Sequence, residues 1–279
     1  MTPNSASDAT SRSQSRTPYT RLVIDDAIVP RRAVGRVLFT VVPIVDAIDR
    51  IVWHGSHQRD GGMAVHFANA YNIALADSDP AYAALLAAGD LVFTDGLPVT
   101  WAGGLLHRDL RSQWTRVYGP DVLTGVLEKS KVNEPRHYFL GATPETLNAL
   151  VTRIHSRWPA AVVAGFESPP FRQVTSEELV ERDERIIDSG ATLVWVGLGT
   201  PKQDQEVRRL ADSVPVMALA VGAAFDFLAG TKPQAPTWIQ RAGLEWAFRL
   251  ASEPRRLARR YLWGNPRFVI AVIRRRKGS

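Results

Sequence analysis

Two polar residues follow apolar, strand-like runs in the first half of the chain. Asp95 follows the apolar stretch of the run DLVFTDG (90–96), and Asn69 ends the run AVHFAN (64–69). Ligands of open α/β sheets bind beyond the carboxyl ends of the strands. Asp95 could therefore act there as a general base, and the Asn69 amide could hold a sugar hydroxyl. Position alone also allows both side chains to cap the helices that follow.

A second candidate site is the segment VGLGTPKQDQE (196–206), where small residues precede a helix. Gly197 and Gly199 would let the backbone approach a ligand, and the amides at the helix start would attract the phosphates of a nucleotide. A capping box closed by Gln203 explains the same residues without any ligand. The segment lacks the last glycine of a G-x-G-x-x-G fingerprint, which disfavours an NAD-dependent oxidoreductase.

Residues that could hold a metal ion are sparse. The chain has no cysteine, and its six histidines show no ligand spacing. Asp77 and Asp79 match the D-x-D pattern of metal-dependent sugar transferases, but they lie between two helical stretches and before Pro80, as turn residues do. We expect no metal ion and no other cofactor.

The elements that must position these residues alternate between strand-like and helical patterns. This alternation predicts an α/β fold with a Rossmann-like, largely parallel sheet flanked by helices. It is clearest after Arg136, where strand-like runs and amphipathic helices alternate up to the run VMALAVG. Thr143 before Pro144 and Thr200 before Pro201 predict two helix N-caps.

Composition divides the chain into three parts. Residues 1–20 are rich in serine and threonine and are interpreted as a disordered lead-in that lacks the apolar stretch of a secretion signal. Residues 21–230 carry the α/β pattern. Residues 231–279 form a basic, amphipathic, helical C-terminal appendage with twelve lysines and arginines against two glutamates. No apolar run reaches the roughly 20 residues of a membrane span, so we expect a cytoplasmic protein.

Six segments resemble, in order and spacing, the blocks of one enzyme family, the WecG/TagA/CpsF glycosyltransferases (glycosyltransferase family 26). They are NAYNIALADSDPAY, LVFTDGLPVTWAGGLL, TRVYGPDV, VGLGTPKQDQE, AVGAAFDFLAG and APTWIQRAGLEWAFRLASEPRRLARRY. The resemblance covers about residues 35–265. It implies a metal-independent, inverting transfer of N-acetylmannosamine, its uronate or glucose from a UDP donor. The implied acceptor is linked to undecaprenyl diphosphate, and the implied products are cell-surface polysaccharides or teichoic acids.

The resemblance also implies roles for individual residues. The catalytic aspartate of the family corresponds to Asp95. The substrate-binding residues that it implies are Asn69, Arg116, Gln203, Arg249, Arg256 and Arg259. We add Gly199, because its turn would let the backbone approach the phosphates. The chain departs from the family pattern at Phe67 and Tyr118, where many members have threonine.

The basic appendage also contains tryptophan, tyrosine, phenylalanine and aliphatic residues. This composition favours contact with an anionic membrane surface, which the resemblance places at the inner face of the plasma membrane. A nucleic-acid-binding protein is a weaker alternative, and we expect no nucleic acid partner. A catalytically degenerate UDP-sugar-binding protein is a further alternative, which Phe67 favours. The expected partners are thus a UDP-sugar and a lipid-diphosphate-linked acceptor, and self-association is left open.

Overall fold

The computed structural model describes residues 29–57, 61–131 and 134–276. The lead-in predicted for residues 1–20 lies outside these ranges. The described strands are β1 (Arg31–Val34), β2 (Val37–Thr40), β3 (Met63–Ala68), β4 (Leu91–Thr94), β5 (Arg136–Gly141), β6 (Val162–Glu167), β7 (Leu193–Gly197) and β8 (Met217–Ala220). The described helices are α1 (Ile44–Gly55), α2 (Ala70–Ser78), α3 (Pro80–Ala87), α4 (Leu97–Leu106), α5 (Gly119–Lys129), α6 (Pro144–Arg157), α7 (Ser176–Asp188), α8 (Lys202–Ser213), α9 (Ala224–Ala229), α10 (Thr237–Arg241), α11 (Glu245–Ser252) and α12 (Pro254–Arg276).

The central sheet has six parallel strands in the order β4-β3-β8-β7-β5-β6. Strands β3, β4 and β8 are buried along their whole length, as expected for a parallel sheet that helices cover on both faces. The predicted α/β fold is confirmed. Because all six strands are parallel, their carboxyl ends meet at one edge of the sheet, where the predicted site lies.

Two elements near the start of the described chain were not predicted. One is an antiparallel hairpin of β1 and β2, and the other is α1. The hairpin turns at Gly35, whose φ of +60° favours glycine. It buries Val34 and Phe39 in an apolar cluster with Ile73 and Trp114. The hairpin packs mainly against β4, α3 and α4, and it forms a separate sheet instead of extending the central one.

The predicted helical C-terminal region is confirmed, and it packs on the α/β body. Helix α12 lies along α2, where Gly264 allows close approach: a Cβ atom there would come within 3.0 Å of the Tyr71 ring. Phe268 and Ala271 of α12 are buried in the cluster that contains Ile73. The appendage thus shares a hydrophobic core with the body.

The two predicted helix caps differ in outcome. Thr143 accepts a hydrogen bond from the Thr146 amide and caps α6, as predicted. The prediction for Thr200 was wrong, because α8 begins at Lys202 and no side chain caps it. A tight turn occupies the preceding residues, and Gly199 has a φ of +77° there.

Candidate active site

A cavity of about 840 Å³ lies at the carboxyl edge of the sheet. Residues within two positions of the ends of five neighbouring strands line it: Asn69 after β3, Asp95 after β4, Thr143 after β5, Gly199 after β7 and Gly222 after β8. We call it the larger cavity. Its volume is in the range of sites that bind a whole cofactor or nucleotide.

Asp95 and Asn69 are neighbours across the edge of the sheet. The Asp95 amide donates to the Ala68 carbonyl oxygen at 2.9 Å, which continues the pairing of β3 and β4. Asn69 accepts a hydrogen bond from the Tyr71 amide at 3.0 Å and caps α2. Its side chain also hydrogen-bonds the Asp95 carboxylate. Asn69 therefore serves both as a cap and as a partner of the candidate base.

The surroundings of Asp95 raise the pKa of its carboxyl group from 3.8 to about 6. Burial is the main cause, since it removes water from the charged form, and the negative charge of Glu245 acts in the same direction. Arg116, Arg249 and the Asn69 hydrogen bond oppose the shift. A carboxylate with a pKa near 6 is ionised at neutral pH and retains useful basicity, as general-base catalysis requires.

Arg116 links the body to the appendage. Its guanidinium group forms an ion pair with Glu245 of α11 and donates to Gln240 Oε1 at 3.2 Å. The Tyr118 hydroxyl donates to the other Glu245 oxygen at 2.7 Å, and Arg116 lies 3.6 Å from the centre of the Tyr118 ring. Tyr118, one of the departures from the family pattern, therefore strengthens a contact with the appendage. Nothing in the local sequence signals these partners, because they lie more than 120 residues apart.

Gln203 orders the turn that follows β7. Its side-chain oxygen accepts from the Gly199 amide at 3.0 Å, and its side-chain nitrogen donates to the Ala220 carbonyl oxygen at 3.2 Å. Gln203 is buried, yet it borders the larger cavity. Its amide group thus shapes the backbone on which phosphates would rest.

The predicted arginines of the appendage separate into two groups. Arg249 and Arg256 line the larger cavity, although α11 ends at Ser252 and α12 starts at Pro254, so one uninterrupted helix does not carry them. Arg259 lines neither cavity described here, and Arg260 lies in the larger one. Residues one apart on a helix point about 100° apart, which explains why neighbours have different surroundings.

Arg260 has the properties of an anion-binding residue. Its Nε atom is buried without a hydrogen-bond partner among the described residues, and its guanidinium carbon lies 4.6 Å from the centre of the Tyr71 ring. Burial lowers the pKa of Arg260, and the like charge of Arg249 acts in the same direction. Arg260 forms no ion pair with a carboxylate of the described residues, and such a desolvated cation would bind a phosphate group strongly.

A second, smaller cavity of about 100 Å³ adjoins the first. Both cavities are lined by Asn69, Asp95, Tyr118, Arg249 and Arg260. The smaller cavity is also lined by Arg116, which does not border the larger one. Asp95 thus stands at the junction of two spaces, where a base could act between two substrates.

The sequence model of the glycosyl transferase WecG/TagA/CpsF family matches residues 32–279. The chain belongs to this family. A curated relative from Bacillus spizizenii is 28% identical over 202 residues, which are 72% of this chain and 75% of the relative. That relative is an N-acetylglucosaminyldiphosphoundecaprenol N-acetyl-beta-D-mannosaminyltransferase. The predicted family resemblance is confirmed, and the chain is a glycosyltransferase by its membership.

Phe67 replaces the hydroxyl-bearing residue of many family members with a buried aromatic ring. It is 3% exposed, borders the larger cavity and lies against Phe93, with 5.7 Å between ring centres. Its neighbour His66 points to the other side of the strand, where its Nδ1 atom lies 3.0 Å from Asp204 Oδ1. His66 therefore has a structural role, and the wall at Phe67 is apolar.

A buried polar network behind the active site was not predicted. Tyr82 donates to Asp204 Oδ2 at 2.9 Å and accepts from the Asn72 amide nitrogen at 2.7 Å. The Asn72 side-chain oxygen accepts from the Asn69 amide at 3.1 Å. The network connects the first turn of α8 to the start of α2, so it ties the glycine turn to the residue that contacts Asp95.

Tyr82→Phe should destabilise this glycosyltransferase by about 1–3 kcal/mol, because it removes the partner of two buried atoms, Asp204 Oδ2 and Asn72 Nδ2. Urea unfolding measures the change in the free energy of unfolding. Ser130→Ala is the matched control, since Ser130 bonds His137 Nε2 at 3.0 Å in a second buried pair that borders neither cavity. If the network also positions Asn69, only Tyr82→Phe lowers kcat. Equal kcat in both variants would show a purely structural network.

Glu245→Gln should lower the pKa of Asp95, because it removes a negative charge that raises this pKa. A general base works when it is deprotonated, so with Asp95 in that role activity should fall as the pH drops through its pKa of about 6. The acid limb of a plot of kcat/KM against pH should therefore move to lower pH in the variant. An acid limb that stays in place or moves to higher pH would contradict the assignment of that limb to Asp95.

Proposed function

We propose that the protein transfers a sugar from a UDP-sugar to a sugar carried on undecaprenyl diphosphate, with inversion at the anomeric carbon and without a metal ion. The observation that carries the proposal is the position of Asp95, a carboxylate of raised pKa at the junction of two cavities lined by arginines. The activity in the relative's name supports a lipid-diphosphate acceptor and makes N-acetylmannosamine the first donor sugar to test.

The proposed reaction follows from the groups at the junction. Asp95 takes the proton of an acceptor hydroxyl while that oxygen attacks the anomeric carbon of the donor from the face opposite UDP. The bond between the anomeric carbon and the UDP oxygen breaks, and UDP leaves with the electron pair. Arg249, Arg260 and the backbone amides of the turn at Gly199 would stabilise the charge on the departing diphosphate. Asp95 then releases its proton to water.

Incubation with a panel of UDP-sugars tests this proposal directly. The acceptor is a water-soluble analogue, N-acetylglucosamine diphosphate on a short alkyl chain, and the buffer contains EDTA. We expect UDP release that requires both substrates and persists with the chelator. UDP binding without release from any donor would favour a degenerate binding protein, for which the apolar wall at Phe67 is the supporting observation. Loss of release in EDTA would contradict metal independence.

The outward face of α12 supports a peripheral contact with an anionic membrane. No helix of the described residues is long and apolar enough to cross a bilayer. Exposed residues recur on one side of α12 at helical spacing: Arg255, Arg259, Leu262, Val269 and Ile273. Apolar side chains flanked by arginines suit the interface of an anionic bilayer. We propose that this face rests on the inner surface of the plasma membrane, where a lipid-linked acceptor would be located.

Replacing both Arg255 and Arg259 with glutamine should weaken binding to anionic vesicles by about 30-fold at low salt, since each basic residue near the surface contributes about 1 kcal/mol. Co-sedimentation with phosphatidylglycerol vesicles measures the change. Vesicles of phosphatidylcholine alone serve as the reference and should not distinguish the variant from the wild type. Unchanged binding to the anionic vesicles would refute this membrane-facing surface.

A further inference from the structure

The smaller cavity differs from the larger in size and in its walls. At about 100 Å³ against about 840 Å³, it has room for a sugar ring and not for a nucleoside diphosphate. One wall is formed by the starts of α2 and α4, at residues 69–71 and 96–98. The opposite wall comes from the appendage and includes Trp246, Tyr261 and Asn265. The cavity therefore exists only because the appendage packs on the body.

The walls of the smaller cavity have the chemistry of a sugar site. The rings of Trp246 and Tyr261 lie 5.9 Å apart at their centres and are tilted to each other by 57°. Aromatic rings pack against the C–H face of a sugar, and neighbouring amides such as Asn69 and Asn265 can hydrogen-bond its hydroxyl groups. Asp95 borders the same space, so a hydroxyl held there would lie beside the proposed base.

The surroundings of the smaller cavity are apolar and exposed. Gly243 borders the cavity and contacts Trp101, whose side chain is 56% exposed. Leu244, the next residue, is 46% exposed, and Leu262, next to Tyr261, is 74% exposed. The larger cavity has an exposed apolar residue at its edge too, Phe171, but more charged side chains line it, among them Lys202 and Lys232. A lipid-linked molecule would reach the smaller cavity with its chain against apolar side chains, whereas a water-soluble nucleotide would enter the larger one.

We propose that the smaller cavity binds the sugar ring of the lipid-linked acceptor, with Trp246 and Tyr261 as its aromatic wall. The inference rests on the proposed function, and it assigns one substrate to each cavity. Asp95 then faces the acceptor hydroxyl on one side and the anomeric carbon of the donor on the other. Arg249 and Arg260, which border both cavities, lie where the diphosphates of the two substrates come closest.

Trp246→Ala tests the assignment through the KM of each substrate. With the water-soluble N-acetylglucosamine diphosphate analogue, the KM for the acceptor should rise about tenfold, while the KM for the UDP-sugar stays within about twofold. Trp238→Ala is the matched control, because Trp238 lies in the same appendage, is 67% exposed and borders neither cavity. Asn265→Leu, which fills the cavity from α12, should raise the acceptor KM in the same way if Trp246→Ala fails to fold.

Calorimetric binding of the same analogue without a donor separates this inference from the proposed function. Weaker binding by Trp246→Ala than by the wild type supports the acceptor site, whether or not any donor gives turnover. A lack of turnover with every donor would overturn only the proposed transfer reaction. Equal binding by the two proteins, or no binding by the wild type, overturns the acceptor site. A rise in the UDP-sugar KM with an unchanged acceptor KM also overturns it.

Discussion

Asp95→Asn should lower the kcat of sugar transfer by about 10²- to 10⁴-fold, the usual contribution of a general base. Asparagine keeps the size of the side chain and its contact with Asn69 but cannot take the proton of the acceptor hydroxyl. UDP release with the soluble acceptor analogue measures the loss. The affinity for UDP should stay nearly unchanged, because the glycine turn and the arginines are intact.

Asp121→Asn is the matched control for this variant. The pKa of Asp121 is also raised, by burial first, and its carboxyl group senses the charges of Arg116 and Glu245. It borders neither cavity, so the variant should keep its activity. Loss of activity in Asp121→Asn together with retained activity in Asp95→Asn would show that Asp95 is not the base.

Arg260→Met should lower kcat by about 10²- to 10³-fold, the scale found when one group that stabilises developing charge is removed. Methionine fills much of the space of the arginine stem while removing the buried positive charge. The effect should fall on kcat more than on the KM of the donor, since the charge of the leaving diphosphate is greatest as the bond breaks. Steady-state kinetics with the soluble acceptor analogue measures both constants.

Arg259→Met provides the comparison, because the family resemblance assigns substrate binding to Arg259 while the structure places Arg260 in the cavities. With a soluble acceptor and no membrane, Arg259→Met should have a far smaller effect than Arg260→Met. A larger effect of Arg259→Met than of Arg260→Met would show that the two guanidinium groups exchange places when substrates bind. A large and equal loss in both variants would mean that the two residues share the site.

The local pattern of apolar and polar residues was enough to locate the residues of the candidate site that follow strands. Asp95, Asn69 and Gly199 each follow an apolar run, and strands of a parallel sheet end at a common edge whatever their order. The sequence thus predicted the fold and the family, and both are confirmed. The roles assigned to these residues and the use of a UDP donor remain predictions.

Local pattern failed where a neighbour in space decides the structure. Thr200 has the residue type of a helix cap, but α8 starts at Lys202, after a turn held by Gln203, whose side chain is itself fixed by the Ala220 carbonyl oxygen 17 residues away. Asp79 lies between α2 and α3, as its interpretation as a turn residue predicts, and its carboxylate accepts from the nearby amides of Ala81 and Tyr82. The difference is that the partners of Asp79 lie two and three residues away.

By itself, the sequence determined the strand ends, the glycine turn and a basic appendage of helical character, because hydrophobic pattern and composition act over a few residues. Only the tertiary structure decided what the appendage does to the site. It pairs Glu245 with Arg116, turns Arg260 inward while Arg259 lies outside both cavities, and closes the smaller cavity over Asp95. The ion pair joins residues more than a hundred positions apart, which come together when the appendage packs on the body.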